Sequence, residues 1–174
     1  MLQALNVVVR MEPTMKYPFN VRSFFTDKET KDIGGGIVLW RGYFQSVRPG
    51  IGKMLINVDI STGTMYKPGP LINLCCDFLG RTGRPDILAP KRGFPDRERI
   101  RLQRFLTGVR ILTTQAGEGK VNRTPRTIKK ISAAGAADMS FKLREGGQQT
   151  VAEYFRRAQN RPLQFPDLLC AEVR

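Results

Sequence analysis

The residues of this chain best suited to chemistry are a phenol and two guanidiniums set close together, Tyr154, Arg156 and Arg157. A guanidinium offers a planar fork of donors to a phosphate, and a tyrosine adds a hydroxyl to an aromatic face. A second set, Lys120, Arg123, Arg126, Lys129 and Lys130, falls within eleven positions and is interleaved with Ile128 and Ile131. Both sets fit phosphate contacts better than bond-making chemistry. The chain has no histidine. That excludes Ser-His-Asp and Cys-His triads and the His-Glu-x-x-His zinc motif. Cys75, Cys76 and Cys170, without histidine, argue against a structural zinc site. Asp59 is the one acid in its strand-like run, whereas a metal-dependent nuclease needs several converging carboxylates. It reads as a solvated strand residue. No catalytic residue, metal or cofactor is expected.

The elements that position these groups can be read around them. Thr150 and Glu153 form a Ser/Thr-x-x-Glu capping box, so a helix starts at Thr150 after the Gly146-Gly147 turn. Val151, Tyr154, Phe155 and Ala158 make its apolar face, with Arg156 and Arg157 directed away, and Pro162 stops it. A short strand through Leu163 and Phe165 follows, closed by Pro166. The second basic set lies beyond a strand over Val109–Thr114 and a turn over Gln115–Gly119. Residues 132–137 are small and loop-like, and Phe141 and Leu143 mark another strand. Short strands with basic faces and regular turns predict a small barrel.

Asp96–Leu106 reads as a helix capped by Asp96. It carries Arg97, Arg99, Arg101 and Arg104, read first as a solvated face and second as an RNA contact. Pro70 and Gly80 bracket a helix over Leu71–Leu79, and Arg81–Pro95 reads as a linker. Ile37–Val47 and Lys53–Ser61 form a hairpin across Arg48–Gly52. Gly34-Gly35-Gly36 and Gly52-Lys53 are turn signals that lack the phosphate-loop pattern. Ala4–Arg10 reads as a β-rich edge strand and Met11–Pro18 as loop. Ser23–Thr26 is strongly apolar, a packing segment whose partner can lie outside this chain.

In 174 residues, 29 Lys+Arg against 15 Asp+Glu give +14. The excess is uneven: residues 91–174 hold 18 basic and 8 acidic residues, a net of +10. A polyanion partner for that half follows, with nucleic acid preferred over an anionic membrane because no long basic amphipathic helix is visible. No run of apolar residues is long enough to span a bilayer, and the start lacks a signal-peptide pattern. An odd cysteine count fits a reducing, cytoplasmic setting.

Residues 34–66, with Gly42-Tyr-Phe-Gln-Ser-Val-Arg-Pro49 and Asn57-Val-Asp-Ile-Ser61, resemble the first linker of eukaryotic Argonaute proteins. Residues 95–174 resemble the PAZ domain that follows it, on Leu106-Thr-Gly-Val-Arg110, Thr150-Val-Ala-Glu-Tyr-Phe155 and Phe165-Pro-Asp-Leu-Leu-Cys170. Ile128-Lys-Lys-Ile131 is closest to fungal members. The resemblance implies 1–28 as the tail of an N domain, 29–80 as the linker, 81–94 as a connecting loop and 95–174 as PAZ. The implied class is α+β: a linker β-hairpin with a helix, then a small oligonucleotide-binding-type barrel with a hairpin-helix insert. The barrel is expected to be incomplete, because the chain ends at Arg174, before the family's last strand. The resemblance also implies single-stranded small RNA as partner, held by its 3′ end in RNA-mediated silencing, with other Argonaute domains or silencing-complex proteins nearby. Tyr154 falls on the family's phosphate-binding tyrosine. The family's histidine falls on Gln115, its second tyrosine on Gln159, and its basic stretch on Lys120–Arg126. The alternative is a non-catalytic remnant with weak or non-specific RNA binding.

If four to five phosphates are neutralised, single-stranded RNA binding should fall with salt at a log–log slope of about −3. Fluorescence anisotropy across a salt series checks this, and a flat response would remove the basic-cleft reading.

Overall fold

Three long antiparallel strands open the architecture: β1 (Phe24–Gly34), β2 (Ile37–Gly50) and β3 (Lys53–Tyr66), in the order β1-β2-β3. The computed structural model describes residues 1–117, 120–143, 146–158 and 160–174, with the backbone alone at 115–117 and 120–122. The chain divides into two compact units, Met1–Pro68 and Gly69–Arg174. In the first, the Gly34–Gly36 turn joins β1 to β2 with positive φ at all three glycines. Ile51-Gly52 joins β2 to β3, so Arg48–Gly50, expected as turn, are strand. The apolar Ser23–Thr26 segment finds its partners inside the chain. Phe24 is fully buried and packs against Tyr43, with ring centroids 5.6 Å apart. Phe25 lies over two glycines of the neighbouring strands: a Cβ at Gly63 would stand 2.5 Å from its ring, and one at Gly42 2.7 Å. The recess for that ring exists because these positions carry no side chain.

The second unit begins with α2 (Leu71–Phe78) and two short 3-10 turns at Pro85–Leu88 and Pro90–Arg92. It continues through α3 (Asp96–Leu106), β4 (Arg110–Gly117), β5 (Lys120–Gly135), the hairpin β6 (Ser140–Lys142) and β7 (Gln148–Thr150), α4 (Val151–Ala158) and β8 (Leu169–Val173). The class is α+β, and β6-β7-α4 forms a hairpin-helix insert between β5 and β8. Strands β4-β5-β8 make an antiparallel sheet beside the separate β6-β7 hairpin, and no ladder among the described residues closes them into a ring. Leu74, Cys76, Leu88, Leu102, Leu106, Ile128, Ile131 and Leu168 form the core. Leu88 and Ala89 are buried, so the expected linker is anchored rather than loose. Asp96 does not cap α3; Pro95 occupies that place, and the Asp96 carboxylate accepts from Arg99 Nε at 2.8 Å. The expected strand at Leu163–Phe165 is irregular, and the strand lies at β8 instead. Pro162 and Pro166 flank the earlier segment and have no N–H to give a ladder. β5 also runs through the small residues 132–135 and β4 through 115–117, both expected outside strands.

Ala4–Arg10 is not a strand but part of the helix α1 (Leu2–Lys16), which also absorbs most of the expected loop. A helix satisfies its own backbone, whereas an unpaired terminal strand does not. Pro13 sits inside α1 and has no N–H for the Val9 carbonyl four residues back. Gln45 Nε2 of β2 donates to that carbonyl instead. Asn6 Oδ1 in turn accepts Val47 N–H at 2.7 Å, and the Arg10 guanidinium lies 5.0 Å over the Phe24 ring. The helix is therefore docked by polar bonds that a local reading of the sequence does not reveal. Gln45→Ala should destabilise the first unit by about 1–2 kcal/mol through the orphaned carbonyl. In a Pro13→Ala background, where position 13 supplies its own N–H, that cost should nearly vanish. Urea unfolding followed by Trp40, the single tryptophan, checks the cycle; an equal cost in both backgrounds would refute the compensation.

Candidate nucleic-acid interface

α4 starts where its capping box sits. Thr150 N–H donates to Glu153 Oε2 at 3.1 Å, and Glu153 N–H donates to Thr150 Oγ1 at 3.2 Å. The first of these bonds, with smaller help from Arg157 and Arg156, holds the Glu153 carboxyl below the usual carboxylate range. Val151 N–H to the Met139 carbonyl and Ala152 N–H to the Ala136 carbonyl, 2.9 and 3.0 Å, fix the helix start to the turn after β5. At the other end Asn160 takes a left-handed φ of 45°, and Arg161 N–H returns to the Phe155 carbonyl at 3.1 Å. Asn tolerates that conformation better than most residues, which makes it a helix terminator here.

Val151, Tyr154 and Phe155 are half-buried, while Ala158, expected on the same face, is exposed. The Tyr154 ring stands edge-on to Phe141 of β6 at 5.7 Å and to Phe155 at 5.9 Å. Phe141 is the residue that sequence reasoning passed over. It marked a strand, but nothing local tied it to the helix that follows the hairpin; the β6-β7 register, with Phe141 opposite Gln149, does so. No hydrogen bond of the Tyr154 hydroxyl is found among the described residues. Arg156 and Arg157 are exposed. The site thus offers a phenol braced by aromatic edges and two solvated guanidiniums on one short helix.

The second basic set is not a single cluster. Arg123 lies opposite Thr114 and Arg126 opposite Ile111 in an unbroken ladder. Three positions apart on a strand, the two arginines point to opposite faces. Lys129 and Lys130 lie roughly 20 Å along the strand from Arg123. Both are exposed, and Lys130 pairs with Glu172 at 3.2 Å. Gln115 and Lys120 belong by backbone to β4 and β5, opposite Asn122 and Gly117; their side chains, and Gln159, lie outside the described residues. On α3, Arg99 bonds Asp96 and Arg101 lies 5.9 Å over the Phe78 ring, so part of that arginine row is committed within the fold. Asp59 is exposed on β3 and accepts from Asn57 Nδ2 at 2.8 Å. Burial pushes the Cys75 thiol up to about 12 and raises Cys170 as well, the opposite of a reactive thiolate.

A family profile for the Argonaute linker 1 domain matches residues 21–67, and one for the PAZ domain matches residues 86–174, just over half of the chain. Among solved structures, the chain is similar to Kluyveromyces polysporus Argonaute with a guide RNA. There the identity is 14% and the TM-score 0.58, over 91% of this chain and 19% of that one. It is also similar to the Drosophila Argonaute 2 PAZ domain, in a structure concerned with 3′-end recognition of nucleic acids. That match has 30% identity and a TM-score of 0.38, over 45% of this chain and 63% of that one. Drosophila Piwi matches at 18% identity and a TM-score of 0.38, over 98% of this chain and 22% of that one. The chain therefore spans about a fifth of the two long proteins and less than two thirds of the isolated PAZ domain. With a linker 1 domain followed by a PAZ domain, it belongs to the Argonaute family.

Proposed function

We propose that the PAZ domain of this chain binds single-stranded RNA and takes the 3′ end of a small guide RNA, as the linker–PAZ part of an Argonaute protein in RNA-mediated silencing. The observation that carries this reading is the capped helix α4. It carries the Tyr154 hydroxyl, unbonded among the described residues, and two exposed guanidiniums, Arg156 and Arg157. A terminal phosphate would accept from the Tyr154 hydroxyl, and Arg156 and Arg157 would hold other phosphates of the strand. Arg123, Arg126, Lys129 and Lys120 of β5 and Gln115 of β4 would add phosphate contacts, with Lys130 weakened by its Glu172 partner. The proposed division is 1–28 from an N domain, 29–80 linker, 81–94 connection and 95–174 PAZ, in a cytoplasmic protein without catalysis of its own. No helix among the described residues is long and apolar enough to cross a membrane.

One observation favours the second reading, weak and non-specific RNA binding by a non-catalytic remnant. The cations occupy separate places and opposite strand faces, which suits a diffuse positive field more than a single cleft.

Tyr154→Phe separates the two. It keeps the half-buried ring and its edge contacts and deletes only the donor. If the hydroxyl bonds a terminal phosphate, affinity for RNA with a free 3′ end should fall by about 1.5–3 kcal/mol. RNA blocked at that end should lose less, and stability should change little. Arg157→Ala should weaken both RNAs alike and flatten the salt slope by less than about one unit. Anisotropy with free and blocked RNAs measures this. Equal binding of both RNAs by Tyr154→Phe and the unsubstituted chain would favour the non-specific reading.

A further inference from the structure

β3 is the edge of its sheet, fourteen residues long, and has no proline between Lys53 and Tyr66. Sheet edges are usually blunted by proline, short length or dense charge. Lys53 and Asp59 are the only charged residues of this strand. The Gly50–Lys53 hairpin closure and the bond from Lys67 N–H to the Gly36 carbonyl put the backbone groups of odd-numbered residues towards β2. By alternation, the even-numbered residues direct N–H and C=O to the open edge. Their side chains form an apolar row in the open: Met54, Ile56, Val58 and Ile60 are 44%, 60%, 58% and 80% exposed. α1 lies on the same face, because Gln45, whose side chain reaches Val9, is the cross-strand partner of Val58.

We propose that this edge pairs antiparallel with β3 of a second copy of the chain, about a two-fold axis through Ile56. The charge pattern selects both the occupant and the register. With Ile56 opposite the partner's Ile56, Met54 meets the partner's Val58, and Lys53 meets the partner's Asp59. Each ion pair occurs twice by symmetry. The Asn57 bond to the Asp59 carboxylate keeps that acid on the strand face that Lys53 also uses. Shifting the register by two residues separates Lys53 from Asp59. A strand of unrelated sequence has no reason to match both the apolar row and the two charges. The pairing joins the two three-stranded sheets into one of six strands, with the exposed rows side by side. Cross-strand apolar and opposite-charge pairs are the usual unit of sheet stabilisation.

Sedimentation velocity on the whole chain, freed of nucleic acid by high salt and returned to low salt, tests this across micromolar concentrations. A reversible monomer–dimer equilibrium is expected. Ile56→Lys should abolish it, and Asp59→Lys, which sets lysine against lysine, should weaken it about tenfold or more. The double exchange Lys53→Asp with Asp59→Lys should restore association to the original strength. Ile56 and Asp59 are exposed, so these chains should keep their circular dichroism; if Ile56→Lys does not fold, the charge exchange decides alone. A chain monomeric throughout, a dimer indifferent to these substitutions, or a double exchange that fails to restore association would each overturn the proposal.

Discussion

The second unit depends on one extra residue in β5. From Ile128 to Lys130 the strand advances two positions while β8 advances one, from Val173 to Glu172. Lys129 is the residue left over, and the ladder bulges around it. A regular strand would send Ile128 and Ile131 to opposite faces. With the bulge both enter the core beside Leu102, Leu106 and Leu168, at 1% and 5% exposure. The same kink leaves Lys129 and Lys130 outside. Core formation and the placement of two cations are thus one event in the backbone.

A second register shift follows between Ile131 and Gly135. There the buried Ser132 hydroxyl accepts Cys170 N–H at 2.8 Å and donates to the Ala134 carbonyl at 2.7 Å. A Cβ at Gly135 would stand 2.4 Å from the Asp167 carbonyl oxygen, so the chain passes closely there only with glycine. The first unit uses the same device, with Gln45 completing the carbonyl that Pro13 leaves open and Asn6 accepting from β2. In both units a side chain serves backbone where regular structure lapses. The insert carrying Tyr154 is held likewise, by backbone bonds from its first residues to the turn after β5. The turn after β5 therefore sets where α4 and its phenol stand.

What could be read in advance was what is local. The capping box of α4 and the Pro70 and Gly80 brackets of α2 are determined within a few residues, and they appear as expected; the alternation of Met54, Ile56, Val58 and Ile60 predicts a half-buried strand, and that row is exposed instead. Val7-Val8-Val9 misled because β propensity is overridden when no partner strand is at hand and the helix finds polar anchors on β2. β1 escaped notice because Asp27–Asp32 is polar and faces solvent, leaving Phe24 and Phe25 as its main apolar signal. β8 was misplaced because its register is decided by β5, an element far earlier in the chain. Phe141 belongs to the same class: its contact with Tyr154 is a product of hairpin register. The opposite facing of Arg123 and Arg126 was legible from strand parity, but only once the strand was known to run unbroken through both.

In the proposed function α4 and its aromatic brace take the RNA terminus. Photocrosslinking tests it most directly, with a single-stranded RNA carrying 4-thiouridine as its last 3′ nucleotide and peptide mapping by mass spectrometry. Crosslinks should concentrate on Phe141 and on Tyr154–Arg157 and be lost when the thiouridine is moved to the 5′ end. Crosslinks spread evenly over Arg110–Lys130, or unchanged by the position of the label, would contradict it.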